Sequence, residues 1–259
     1  MSENDRPKQG IVGGDDRFVV PNPTSEPLRY ICRIEAVTRI IGSNYEYDLG
    51  TGFLITPNVI VTAAHNVWGP GRTYLQFNVG AAAYKPGDLQ KMKQFKPDGR
   101  IVRIHPRFLK AATPDDLKKK SIRNWDIALI TLPRELAFSE LRGNMFSYGE
   151  QEGGVPSGRC AALGYPGDSK LKMMGAYGHY KGREAAPTSN LVTHDIDTKE
   201  GQSGGPILPV KSDGVYGNAI AGMHIAEDRA AGQVVNYALT FSAAITKFIQ
   251  ENTVIPNMD

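Results

Sequence analysis

Short apolar runs broken at close intervals by turn residues dominate this chain, and they limit it to an all-β class of fold. RYICRI (29–34), GTGFLITPNVIVTAAH (50–65), RIVRI (100–104), DIALITL (126–132), GRCAALGY (158–165) and AIAGMHI (219–225) are separated by clusters of Gly, Pro, Asn and Asp. Twenty-eight glycines suit a chain with many tight turns. Long helical patterns do not alternate with these runs, so a parallel α/β sheet is excluded, and no short repeat marks a solenoid. The one clear helix pattern is SAAITKFIQEN near the end. There Ala244, Ile245, Phe248 and Ile249 share a face, and Ser242 is placed to cap it.

Residues 138–156, FSELRGNMFSYGEQEGGVP, are polar and glycine-rich, and they separate the runs around His65 and Asp126 from those around Ser203. The simplest arrangement is two β-barrels, 18–137 and 157–240, joined by that linker with a cleft between them. A leader, 1–17, precedes them, and a C-terminal helix with its tail, 241–259, follows. At 259 residues the chain can bury a core in each half.

Composition removes several function classes. The net charge of +3 is small, and DDLKKKSIR (115–123) has no interleaved aromatics, so it reads as a solvated loop and not as a nucleic-acid patch. Asp98, Asp115 and Asp116 read as turn residues. Cys32 and Cys160, the only cysteines, lack metal-ligand spacing; they form either one disulfide or two buried thiols. Neither a metal nor a cofactor is expected. No run has the length of a membrane span, and MSENDRPKQG lacks the basic start and apolar core of a signal peptide. A chain that begins at Met1 is therefore expected to stay where it is made, and a processed form to be secreted. The expected partner is a protein or peptide substrate, met by a monomer.

Three segments supply parts for acyl transfer. A serine hydroxyl is a weak nucleophile at neutral pH and needs a base, a group that orients the base, and donors for the oxyanion. TAAHNV sets His65 after an apolar strand. NWDIALITL sets Asp126 at the head of another, where a carboxylate is shielded, and GQSGGP sets Ser203 among glycines that let backbone N–H groups converge.

In that order the three motifs resemble the chymotrypsin-like serine proteases, over most of the chain from about residue 28 to the final helix, which implies an all-β fold of two six-stranded Greek-key β-barrels with the active site between them. GTGFLI, GYPGD (164–168), DIDT (195–198) and GMH (222–224) are similar to the glutamyl endopeptidase branch, which includes the exfoliative toxins. Residues 106–124 depart from that pattern as an inserted loop. The resemblance implies Ser203 as nucleophile, His65 as base, Asp126 as its orienting acid, and the N–H groups of Gly201 and Ser203 as oxyanion hole.

The same resemblance leaves the specificity pocket open. Asp197 stands where trypsin-like enzymes carry the acid that attracts Lys or Arg. Thr198 and His224 match the hydroxyl and imidazole with which glutamyl endopeptidases bind a substrate carboxylate. If Asp197 turns away toward backbone amides, the acidic preference follows; if it faces His224, the basic one does. Glu227 and Asp228 bring negative charge near His224. IVGG (11–14) looks like a trypsin-type activation site, but Gln202 holds the place of the aspartate that would receive the new ammonium, so that mode is not expected. A cut after Gly10 would still bring an amino terminus near the pocket, and the bland alternative is a glycine turn. Two other readings of the serine motif are a latent or toxin-like binding module, and an esterase with a G-x-S-x-G elbow. The elbow is disfavoured because a strand, PILPV, follows the serine and because it leaves TAAH and WDIAL unexplained.

Overall fold

The structure, a computed structural model, describes residues 10–41, 44–82, 90–92, 101–133, 137–141, 145–149, 158–183, 189–230 and 233–253. In chain order its elements are β1 (Phe18–Val19), β2 (Ile31–Ile41), β3 (Asn44–Thr56), β4 (Val59–Thr62), β5 (Gln76–Ala81), β6 (Gln90–Met92), β7 (Val102–Ile104), α1 (Lys120–Arg123) and β8 (Ala128–Thr131). The second half carries β9 (Cys160–Gly164), β10 (Met174–Gly178), β11 (Tyr180–Arg183), β12 (Leu191–His194), β13 (Pro206–Pro209), β14 (Gly222–Ala230), β15 (Gln233–Leu239) and α2 (Ala243–Thr253).

The strands form two antiparallel sheets, one from each half, as the turn-broken pattern requires. The first runs β6-β5-β2-β3-β4-β8-β7 and the second β1-β10-β9-β13-β14-β15-β12-β11. In the second, β10 and β11 are one stretch of chain interrupted at His179, pairing with β9 on one side and β12 on the other. Counted as one bent strand they close six strands into a barrel, with β1 added at an edge. The bend is held by Asp195, whose Oδ1 accepts from the His179 N–H at 2.6 Å while its own N–H donates to the His179 carbonyl at 3.2 Å.

Packing follows from strand periodicity. All four residues of β4 and of β8 are buried, and the register Val61↔Leu129 and Ile60↔Ile130 stacks their side chains at the centre of the first barrel. Burying each such side chain contributes about 1.5–3 kcal/mol relative to exposure. The expected linker is less polar in space than in sequence: Phe138, Leu141 and Phe146 are buried, and Phe146 lies edge-on to both Tyr30 and Phe53. Residues 142–144 and 150–156 of that linker lie outside the described residues. Helix α2 starts as expected, with Ser242 Oγ accepting from the Ile245 N–H at 3.4 Å. Its buried face is Ile245, Thr246, Phe248 and Ile249, three of them as expected, while Ala244 is exposed and Thr246 is buried in its stead. It packs on β8, with Phe248 against His105.

The start of the chain differs most from expectation. Residues 10–17, grouped with a leader, are laid along the second barrel, and Phe18–Val19 pair with β10 of that barrel and not with the first. Arg17 secures them by reaching Asp15 at 2.8 Å and Asp168 at 2.9 Å. Residues 1–9 lie outside the described residues. Cys32 and Cys160 are both buried and free.

Candidate active site

β4 ends in a 3₁₀ turn, Ala64–Asn66, that carries His65 to the edge of the first barrel. The side chain of His65 is 30% exposed, whereas that of Asp126, in the turn before β8, is 4% exposed. Asp126 grips the histidine twice. Its Oδ1 accepts from the His65 N–H at 3.0 Å and its Oδ2 faces His65 Nδ1 at 2.7 Å. An anionic carboxylate there accepts from Nδ1–H, which leaves Nε2 as the basic nitrogen. Burial opposes a charged imidazole, yet the charge and hydrogen bond of Asp126 outweigh it and raise the His65 pKa above the ordinary value.

The Ser203 loop is held at every carbonyl. Glu200 O accepts from Gly167 N at 2.9 Å, Gly201 O from Thr51 Oγ1 at 2.8 Å, and Gln202 O from Gly205 N at 2.9 Å. Ser203 O accepts from Thr51 N at 2.9 Å and from Asn66 Nδ2 at 2.7 Å. A peptide N–H points opposite to the carbonyl of its own plane. With Glu200 O and Gln202 O tied down, the N–H groups of Gly201 and Ser203 are left without a hydrogen-bond partner among the described residues. Gly201 has φ +96°, and a Cβ there would lie 2.6 Å from the Tyr165 carbonyl, so glycine alone suits this turn. Ser203 Oγ donates to the Ile225 carbonyl at 3.4 Å, and no hydrogen bond joins it to His65 in this state. The two turns are nonetheless adjacent, because Asn66, next to His65, holds the Ser203 carbonyl.

Beside that loop, Asp197 is tied to an early segment of the chain. Its carboxylate accepts from the N–H of Val12 at 2.7 Å and of Asp16 at 3.0 Å. The segment carrying those amides also meets the residue that follows Asp197. Gly10 O accepts from Thr198 N at 3.0 Å and from Asn236 Nδ2 at 2.8 Å, and Gly10 and Ile11 are both buried. Thr198 Oγ1 and His224 Nε2 are buried and have no hydrogen-bond partner among the described residues. Behind His224, its Nδ1 faces His194 Nε2 at 3.3 Å. Burial lowers the pKa of both rings, to about 4 for His194, so both are neutral at neutral pH. Gln202 Oε1 accepts from Lys199 N at 2.9 Å, which folds that side chain back on its own loop. Among the described residues, no three His, Cys, Asp or Glu side chains cluster to hold a metal ion.

Residues 50–217, which include His65, Asp126, Thr198 and Ser203 but not His224, match the family described as trypsin-like peptidase domain. The chain belongs to the trypsin-like peptidase family. Comparison with curated protein sequences gave no match. Among solved structures the chain is similar to a Glu endopeptidase solved in complex with MPD, at TM-score 0.69 and 20% identity, covering 95% of this chain and 100% of that one. It is also similar to the protease Anisep from Arthrobacter nicotinovorans, at TM-score 0.57 and 15% identity, covering 88% and 96%. An M. tuberculosis protease in its active form follows at TM-score 0.55 and 15% identity, covering 98% and 93%. At these identities the likeness is one of fold.

Several parts of this peptidase escaped the sequence reading. Thr51, Thr62 and Asn66 form a hydrogen-bonded chain beneath the Ser203 loop, with Thr62 Oγ1 donating to Thr51 O at 2.7 Å and Asn66 Nδ2 to Thr62 Oγ1 at 3.0 Å. GTG and TAAHN offered no clue, since side-chain bonds to distant carbonyls leave no local pattern. No motif surrounds His194, whose partner His224 lies 30 residues further on. His105 has no part in the site: it stacks on Trp125, its Nδ1 accepts from Arg107 N, and burial lowers its pKa to about 4. Asp115 and Asp116 pair with Lys118 and Lys119 in an exposed turn, whereas Asp98 lies outside the described residues.

Proposed function

We propose that this serine protease is an endopeptidase that cuts after Glu, and also Asp, through an acyl-enzyme on Ser203. His65 Nε2 takes the Ser203 proton as Oγ attacks the scissile carbonyl, and the oxyanion is received by the N–H groups of Gly201 and Ser203. Collapse expels the amine, protonated by His65, and water repeats the sequence to release the acid. Asp126 keeps the imidazole in the required tautomer and stabilises its charge. For attack, Ser203 Oγ leaves the Ile225 carbonyl and turns to His65, a rotation of one side-chain torsion.

The observation that carries the acidic preference is the contrast on the two sides of residue 197. Its carboxylate is spent on the amides of Val12 and Asp16, whereas Thr198 Oγ1 and His224 Nε2 are buried without partners. Unpaired buried polar atoms carry a desolvation penalty, and a substrate carboxylate accepting from both relieves it. With His194 Nε2 donating to Nδ1, His224 presents Nε2–H to the pocket. The test is a peptide series that differs only at the residue before the cut, read with phosphonate labelling of Ser203. Preference for Glu or Asp over Gln, Leu, Lys and Arg supports the reading, and preference for Lys or Arg overturns it.

A further inference from the structure

We propose that Thr51 and Asn66 are positioning residues that hold the reactive shape of the Ser203 loop from the opposite barrel. Four successive carbonyls, 200 to 203, are each fastened, and the two at Gly201 and Ser203 are fastened by the first barrel. The Thr51 hydroxyl has its roles assigned. It accepts from Tyr165 N at 2.9 Å, so its own hydrogen goes to Gly201 O at 2.8 Å. This matters because Gly201 lies in the left-handed region, where glycine has many other conformations open to it. Gly201 O shares its peptide plane with the Gln202 N–H, which donates to Lys199 O at 3.0 Å, so Thr51 fixes the plane between the two oxyanion donors; a rotation of that plane would swing the flanking Gly201 and Ser203 N–H groups out of the oxyanion hole. Asn66 acts on the other relation. It shares a 3₁₀ turn with His65, so its bond to Ser203 O sets the separation of base and nucleophile. Gly164 fits the same device, since a Cβ there would lie 2.8 Å from Thr51 Oγ1. None of these contacts touches the pocket that holds the substrate side chain.

The inference rests on Ser203 as nucleophile and is independent of the acidic preference. T51V keeps the shape and removes the hydroxyl, T51S keeps the hydroxyl, and N66A removes the amide. Rates are divided by the number of active sites titrated with a phosphonate, so loss of folded protein is not counted. For T51V and N66A, kcat falls about 10²-fold for every accepted residue before the cut, with KM changed by less than about twofold. Affinity for a peptide aldehyde, which forms a tetrahedral adduct, falls by the same factor as kcat/KM. T51S returns to within about threefold of the wild type. Wild-type kcat per titrated site in T51V or N66A, or a T51S no better than T51V, overturns the proposal. Should T51V not fold, N66A and T51S decide it by the same criteria. A wild type that no phosphonate labels at Ser203 overturns both this and the catalytic reading, whereas a labelled wild type with unaltered variants overturns this one alone.

Discussion

Replacing Asp197 by alanine separates a structural carboxylate from one that reads substrate. The side chain is buried, in a residue 2% exposed, and receives two backbone N–H groups at 2.7 and 3.0 Å. A hydrogen bond to a charged group contributes about 1.5–3 kcal/mol, so the pair contributes about 3–6 kcal/mol before burial is counted. Burial works against them and is the larger effect on ionisation, since the Asp197 pKa is raised despite both bonds. A net loss of about 1–3 kcal/mol is expected for D197A near neutral pH, which for a chain of this size lowers Tm by about 2–12 °C. The sign of the pH dependence follows. A carboxyl whose folded pKa lies above its unfolded one stabilises most below the unfolded value and loses that contribution as pH rises through the folded value. The Tm penalty of D197A is therefore larger in mild acid than at neutral pH. Thermal melts at several pH values, paired with the peptide series, test both halves. An unchanged Tm together with loss of cleavage after Lys or Arg would refute the reasoning, because it would mean that the carboxylate faces substrate.

Further outcomes are expected. H224A lowers kcat/KM for Glu peptides by about 10–10²-fold while Leu peptides change less than about threefold, measured by progress curves on matched substrates. H194F frees His224 to take either tautomer and lowers the ratio of Glu to Gln cleavage without altering phosphonate labelling of Ser203. Around that imidazole pair the groups to account for are Tyr180 from β11, Asp195 beside β12 and His65 across the cleft. D126N lowers kcat by about 10⁴-fold. The wild-type rate climbs with pH as His65 loses its proton, with its midpoint above the ordinary histidine value.

What could be read from the residues was the part of the site written as contiguous words. His65, Asp126 and Ser203 each sit in a motif whose neighbours place them at a strand end or a glycine turn, and the strand runs announced two barrels. The direction of Asp197 could not be read, because it depends on amides 185 residues earlier in the chain. Residues 10–17 resembled a polar leader for the same reason: their partners, Asp197, Asp168 and Thr198, all belong to the far half. Thr51 and Asn66 were silent because a hydroxyl or amide that holds a carbonyl across an interface has no sequence period. In α2 three of the four expected positions, Ile245, Phe248 and Ile249, are buried, and Thr246 takes the place expected for Ala244.

The earliest described residues close on much later ones, Gly10 meeting Thr198 in the loop before β13 and Asn236 in β15. Contacts so distant along the polymer are slow to form, because the intervening loop must first be closed. As the chain is synthesised, His65 and Asp126 emerge long before these contacts can exist. The surroundings of Asp197 and Thr198 are thus among the final parts of this molecule to form, and a nascent fragment lacks them altogether.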